Sequence, residues 1–286
     1  MPLVEPICNY HCVVGENPLW HPREQRLYWE DIDSGRLFRF DPASGEHECF
    51  YEGDTVGGFT FQADGSLLLF EANRIAVLDG SGRRRVLGEG YDPEMSRFND
   101  VISDPEGRVF AGTIGASLRS GGLLRIERDG SAEVLWRDTG CANGMGFTPD
   151  GRGFYWTCST TRRIFLSDYD RATGALANRR VWYEAPESEG TPDGMTVDTQ
   201  GRVWTTRWDG SAVLCLSPKA EVLQRVELPV PKVSSICFGG PGLDDAYLTT
   251  AALDRSSDAG SAEGSLYRIR GLGALGQPEH FSRIAL

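Results

Sequence analysis

Four side chains with metal-competent oxygens, Glu16, Asn99, Asn143 and Asp193, fall at one position of a sequence repeat. The repeat is anchored at the first tight turn of each unit, on Pro22, Ala63, Pro105, Pro149, Thr199 and Gly240. Six positions before these anchors stand Glu16, Gly57, Asn99, Asn143, Asp193 and Ser234. Asn and Asp are common near turns because their short side chains bond the local backbone. One such residue would mean no more than that, but four of six equivalent positions ask for a further reason. Two carboxylates and two amides drawn into one confined place repel each other and leave polar groups without partners, unless a cation compensates. An oxygen-only set favours calcium, magnesium or manganese, with zinc also admissible. The expectation is one divalent metal ion per chain.

The elements that would have to position these residues are short strands. Runs such as Ser66-Leu67-Leu68-Leu69-Phe70 and Arg202-Val203-Trp204-Thr205-Thr206 have strand length and composition, and 35 Gly and 15 Pro punctuate them. No segment sustains the spacing of an amphipathic helix. The first turns recur at Gln25, Gly65, Gly107, Gly151, Gly201 and Gly242, at intervals of 40, 42, 44, 50 and 41 residues. Six such units of four strands predict an all-β, six-bladed β-propeller, one domain over residues 1–286. The leading segment Val4–Val13 should lend a strand to the last blade. In a propeller, equivalent positions at the start of the innermost strands share one rim, which is what would bring Glu16, Asn99, Asn143 and Asp193 together.

Composition narrows the function. A formal charge of −12 argues against nucleic acid, whose phosphates are held by Lys and Arg, and against an anionic membrane. Solubility is a sufficient account of that charge. No apolar run reaches the ~18 residues of a membrane-spanning helix, and the start lacks a signal-peptide pattern, so a cytoplasmic location is expected. Seven scattered cysteines without a C-x-x-C pair read as free thiols in a reducing compartment. With only four scattered histidines, any metal should be held by oxygen.

Gly15-Glu16-Asn17-Pro18-Leu19-Trp20, Arg97-Phe98-Asn99-Asp100, Asn143-Gly144-Met145 and Pro192-Asp193-Gly194-Met195 resemble, in order and spacing, the signatures of the regucalcin/gluconolactonase family. Cys237-Phe238-Gly239-Gly240-Pro241 resembles its sixth-blade signature, and the likeness runs through nearly the whole chain. The resemblance implies a six-bladed propeller with one divalent metal, and an enzyme that opens aldonolactones. It implies Glu16, Asn143 and Asp193 as metal ligands, with Arg97 and Asn99 on the substrate side. Arg97 stands outside the repeat register and rests on the resemblance alone. Asp100 is expected to brace a loop. The chain departs from some family members, the animal ones included, in the third-blade loop Thr113–Gly122, which here lacks an acidic residue. Tyr155 and Trp156 are expected in the core, and Arg207, Trp208 and Asp209, just past inner strands or in rim loops, are candidates to shape the pocket.

Lactone hydrolysis needs a polarised carbonyl, an activated water and stabilisation of the tetrahedral oxyanion. Asp193 is the candidate general base, Arg97 the group for the developing charge, and Asn99 the group for ring hydroxyls. No Ser, His and Asp stand at spacing that suggests an acyl-enzyme. Three other readings compete: a hydrolase of another activated ester such as a phosphotriester, a non-catalytic metal-binding regulatory protein, and an interaction propeller. The expected partner is a small sugar lactone.

Overall fold

The computed structural model describes residues 2–117, 120–137, 139–253 and 261–285. The chain is a six-bladed β-propeller of four antiparallel strands per blade. After β1 (Leu3–Asn9), the first blade holds β2 (Gly15–His21), β3 (Arg26–Asp31), β4 (Arg36–Phe40) and β5 (His47–Glu52). The second holds β6 (Phe59–Phe61), β7 (Leu67–Phe70), β8 (Arg74–Leu78) and β9 (Arg84–Glu89). The third holds β10 (Met95–Ser103), β11 (Val109–Gly115), β12 (Leu123–Ile126) and β13 (Ala132–Trp136). The fourth holds β14 (Ala142–Phe147), β15 (Gly153–Cys158), β16 (Arg163–Tyr169) and β17 (Leu176–Glu184). The fifth holds β18 (Thr191–Val197), β19 (Val203–Trp208), β20 (Ala212–Leu216) and β21 (Val222–Glu227). The sixth holds β22 (Val233–Gly239), β23 (Asp245–Thr250) and β24 (Ser265–Arg270), with β1 paired to β24 as its fourth strand. The leading segment thus closes the last sheet, as expected, over Leu3–Asn9.

The chain divides into two compact units, each of three blades. One unit, residues 1–54 and 185–279, carries blades one, five and six. Its core packs Trp204, Val213, Phe238 and Tyr267 in one cluster and Trp20, Trp29, Phe38 and Tyr247 in another. The other, residues 55–184 and 280–286, carries blades two, three and four. Its core packs Phe70, Phe98 and Val109 between the second and third blades, and Phe110, Phe147, Phe154 and Trp156 between the third and fourth. Each such side chain contributes ~1.5–3 kcal/mol on burial, so within each unit neighbouring blades are held by the apolar side chains between them. Tyr155 and Trp156 are core residues on β15, as expected.

Burial grades across each sheet. β14 and β22 are buried throughout, whereas β5 and β17 face water along most of their length. That gradient means that a polar residue in a first strand such as β14 or β22 sits buried and needs a partner. The turns after these strands fall where the repeat places them. Asp104 accepts from the N–H groups of Glu106 and Arg108, and Asp198 from those of Gln200 and Arg202, closing the same Asp-initiated turn twice. Among the described residues no helix is long and apolar enough to cross a membrane, and all seven cysteines are free.

Candidate functional site

The repeat position that carries Glu16, Asn99, Asn143 and Asp193 coincides with an irregularity of the first strand. The pairing of β2 with β3 shifts between Glu16 and Leu19, and that of β10 with β11 between Phe98 and Val101. It shifts between Asn143 and Met145 on β14, between Pro192 and Met195 on β18, and between Val233 and Ser235 on β22. A bulge breaks the alternation of a strand and re-aims a side chain. The same device in five blades therefore sets these residues apart from their neighbours. The second blade has none, and there the equivalent residue is Gly57. A Cβ on Gly57 would meet the Phe98 carbonyl oxygen at 1.9 Å, so β10 passes too close for any side chain.

In the first unit, Glu16 is buried and its Oε2 accepts from the Asn17 N–H at 3.0 Å. Its cross-strand neighbour is Glu30 on β3, fully enclosed. Two carboxylates on paired positions of one buried sheet are costly without a cation or a shared proton. The sequence reading missed Glu30; its only signal there is a carboxylate within the aromatic run Tyr28-Trp29-Glu30-Asp31. Asp193 is 5% exposed and stands in the β18 bulge. The next residue, Gly194, lies against β22: a Cβ there would come within 2.2 Å of Ser235 Oγ.

Arg207 lies within β19, not in a rim loop. It is fully buried opposite Pro192 and pairs with Glu189 at 3.3 Å, while Nη1 donates to Thr205 Oγ1 and to the Thr206 carbonyl, both at 3.0 Å. A buried guanidinium needs that many acceptors, and the arrangement ties the segment before β18 to β19. Asp209 is exposed and accepts from Lys232 Nζ at 2.9 Å, beside the half-buried Trp208.

In the second unit, Arg97 is half-buried and Asn99 is 8% exposed. Arg97 Nη1 donates to the Phe98 carbonyl at 2.9 Å and to Asn99 Oδ1 at 2.7 Å. Asn99 Nδ2 in turn donates to the Ala142 carbonyl at 2.7 Å, just before Asn143. Asn143 Nδ2 donates to Ser159 Oγ at 3.1 Å, while its buried Oδ1 has no hydrogen-bond partner. An amide whose donor side is satisfied and whose buried acceptor stands open fits an oxygen ligand to a hard cation. Burial pushes the half-buried Asp100 carboxyl up to about 7, against a hydrogen bond from the Val101 N–H. In the third-blade loop, Thr113 accepts from the Gly122 N–H at 2.8 Å and Ser120 Oγ from the Ser117 N–H at 2.8 Å; Leu118 and Arg119 lie outside the described residues. Among the described residues no three His, Cys, Asp or Glu side chains gather as a metal cluster; the candidate donors are two carboxylates and an amide.

Residues 14–252 match the model of the SMP-30/gluconolactonase/LRE-like region. The chain belongs to that family. It is 43% identical over 289 residues to the pentonolactonase XacC of Haloferax volcanii, covering 98% of each chain. It is 35% identical over 251 residues to a 6-deoxy-6-sulfogluconolactonase of Pseudomonas putida, covering 86% of each. Among solved structures it is similar to a luciferin-regenerating enzyme, with a TM-score of 0.91 and 27% identity over 99% of this chain and 100% of that one. Family membership agrees with the motifs around Glu16, Asn99, Asn143 and Asp193, and with the six-bladed fold that the repeat predicted.

Proposed function

We propose that the chain is a metal-dependent lactonase that opens an aldonolactone to the aldonic acid. The observation that carries this reading is the near-complete alignment with a pentonolactonase at 43% identity. A sulfogluconolactonase relative widens the class to sugar lactones of more than one size. Glu16 and Asp193 supply the carboxylates and Asn143 the amide oxygen for one divalent ion: calcium, manganese, magnesium or zinc. Support for this set is the burial of all three, the open Oδ1 of Asn143 and the oxygen-only donor chemistry. When bound, the ion supplies Lewis acidity toward the lactone carbonyl and the attacking water.

The chain's own groups do the rest. Asp193 orients a water and takes its proton as the oxygen attacks the acyl carbon. Arg97 donates to the oxygen on which negative charge develops, and Asn99 fixes Arg97 through Oδ1, whose second lone pair accepts from a ring hydroxyl. The acyl–oxygen bond of the ring then breaks, and the ring oxygen receives a proton to leave a hydroxy acid. Seven free cysteines fit a reducing, cytoplasmic setting.

The test is a panel of five- and six-carbon aldonolactones, with an aryl phosphotriester and a simple aryl ester alongside, followed by acid release. The expected result is turnover of aldonolactones, pentonolactones foremost, well above the two other esters. Preference for the phosphotriester would move the activity to another ester class. No turnover of any lactone with any of the four metals would leave a binding protein.

A further inference from the structure

Apart from Gly57, which has no side chain, one member of the repeat register has no part in the ligand or substrate set: Ser234, the equivalent in the sixth blade of Glu16, Asn99, Asn143 and Asp193. It is fully buried, and its Oγ donates to the Gly15 carbonyl at 2.5 Å. The Thr249 hydroxyl lies 3.0 Å from the same Ser234 Oγ. The Ser234 carbonyl accepts from Thr206 Oγ1 at 2.7 Å, and the same hydroxyl lies 3.1 Å from the Gly194 carbonyl. Thr206 and Thr249 are as enclosed as Ser234. The chain of contacts therefore runs from Gly194, the neighbour of Asp193, through Thr206 and Ser234 to Gly15, the neighbour of Glu16. It links blades five, six and one within a single compact unit.

We propose that Ser234, with Thr206, is a positioning residue that fixes the spacing of the Glu16 and Asp193 carboxylates. The inference rests on the reading of these two residues as metal ligands. The physical reason is that like charges separate when the cation is absent; two backbone segments tied through buried hydroxyls resist that separation, and binding then requires less reorganisation. The sheet ladders do not perform this task, because each ladder joins strands of one blade whereas these contacts run from blade to blade. The other unit repeats the device at the same register: Asn99 Nδ2 holds the Ala142 carbonyl, one residue before Asn143. In each case a side chain at the repeat position of one blade grips the backbone just ahead of the proposed ligand in the next.

The experiment measures the dissociation constant of calcium, manganese and zinc ions, with the metal-free melting temperature beside it, for the wild type, Ser234→Ala, Thr206→Val and Thr206→Ser. Losing one buried neutral hydrogen bond that orders a ligand should weaken metal binding about three- to tenfold in Ser234→Ala and Thr206→Val. Thr206→Ser keeps the hydroxyl and should bind as the wild type does. Should Ser234→Ala fail to fold, Thr206→Val, which preserves shape, carries the comparison. The decisive arm repeats Ser234→Ala in a Glu16→Gln background, where a residue acting through Glu16 should produce much less further weakening. Lower melting temperatures with unchanged metal affinity, or an equal loss in both backgrounds, would overturn the positioning role and leave the ligand assignment standing. A wild type that binds none of the three ions, nor magnesium, would overturn the ligand assignment, and this inference with it.

Discussion

Asp193 is asked both to hold a cation and to take a proton from water, and one substitution separates the two demands. Asp193→Asn keeps an oxygen and the volume but removes charge and basicity. Positioned acid–base help is worth ~10²–10⁴-fold, so kcat on an aldonolactone should stay down by about that factor even at full metal occupancy. Glu16→Gln, assigned to binding alone, should recover as metal is raised. Full recovery of Asp193→Asn would remove the proton-accepting role. Asp100 makes a second claim at this scale. Its folded-state pKa of about 7 lies above the ordinary 3.8 of an aspartate. Below the lower value both states are protonated and its contribution to stability is intact. Between the two values the unfolded chain ionises first, so stability is lost as pH rises. The chelated protein should therefore melt at falling temperature from pH ~5 to ~7.5, with a shallower fall in Asp100→Asn; parallel curves would contradict the assignment.

At the scale of the element, the first strand of each blade was the most legible part of the sequence. Tight turns at a period near 43 residues and the short apolar runs that follow them, such as Leu67–Phe70, are local features, and counting back from the turn located Glu16, Asn99, Asn143 and Asp193. The bulges that distinguish those positions were not legible, since a bulge is a mismatch between two strands. The same holds for partners reached across blades. Ser234 was in the register but looked like an ordinary serine, because its bond to Gly15 spans 219 residues. Arg207 was expected just past a strand or in a rim loop. It lies buried against Glu189, because the short helical turn Glu187–Glu189 brings that carboxylate within reach. Glu30 was passed over because nothing in its neighbourhood shows that its strand partner is Glu16. Sequence spacing reports what one strand repeats; it does not report what two strands share.

Across the whole molecule, six copies of one four-stranded unit supply the frame, and the proposed ligands fall at one register position whose residue varies from blade to blade, with Arg97 two residues from it. Where a side chain would collide, as at Gly57, the position is vacated; elsewhere it bears an acid, an amide or a hydroxyl. That division accounts for a family whose members share a fold while acting on different lactones: the frame is packing, and the substrate is read by loops and a few polar groups. The account therefore turns on whether a divalent ion, bound through oxygen, is required for lactone opening. The most direct measurement is acid release from a pentonolactone by protein stripped with a chelator and freed of it, then titrated with calcium, manganese, magnesium and zinc in turn. The account predicts that the stripped protein is nearly inactive and that at least one ion restores turnover with one equivalent bound per chain, a restoration that Glu16→Gln shifts to higher metal concentration. Undiminished turnover by fully stripped protein would contradict it.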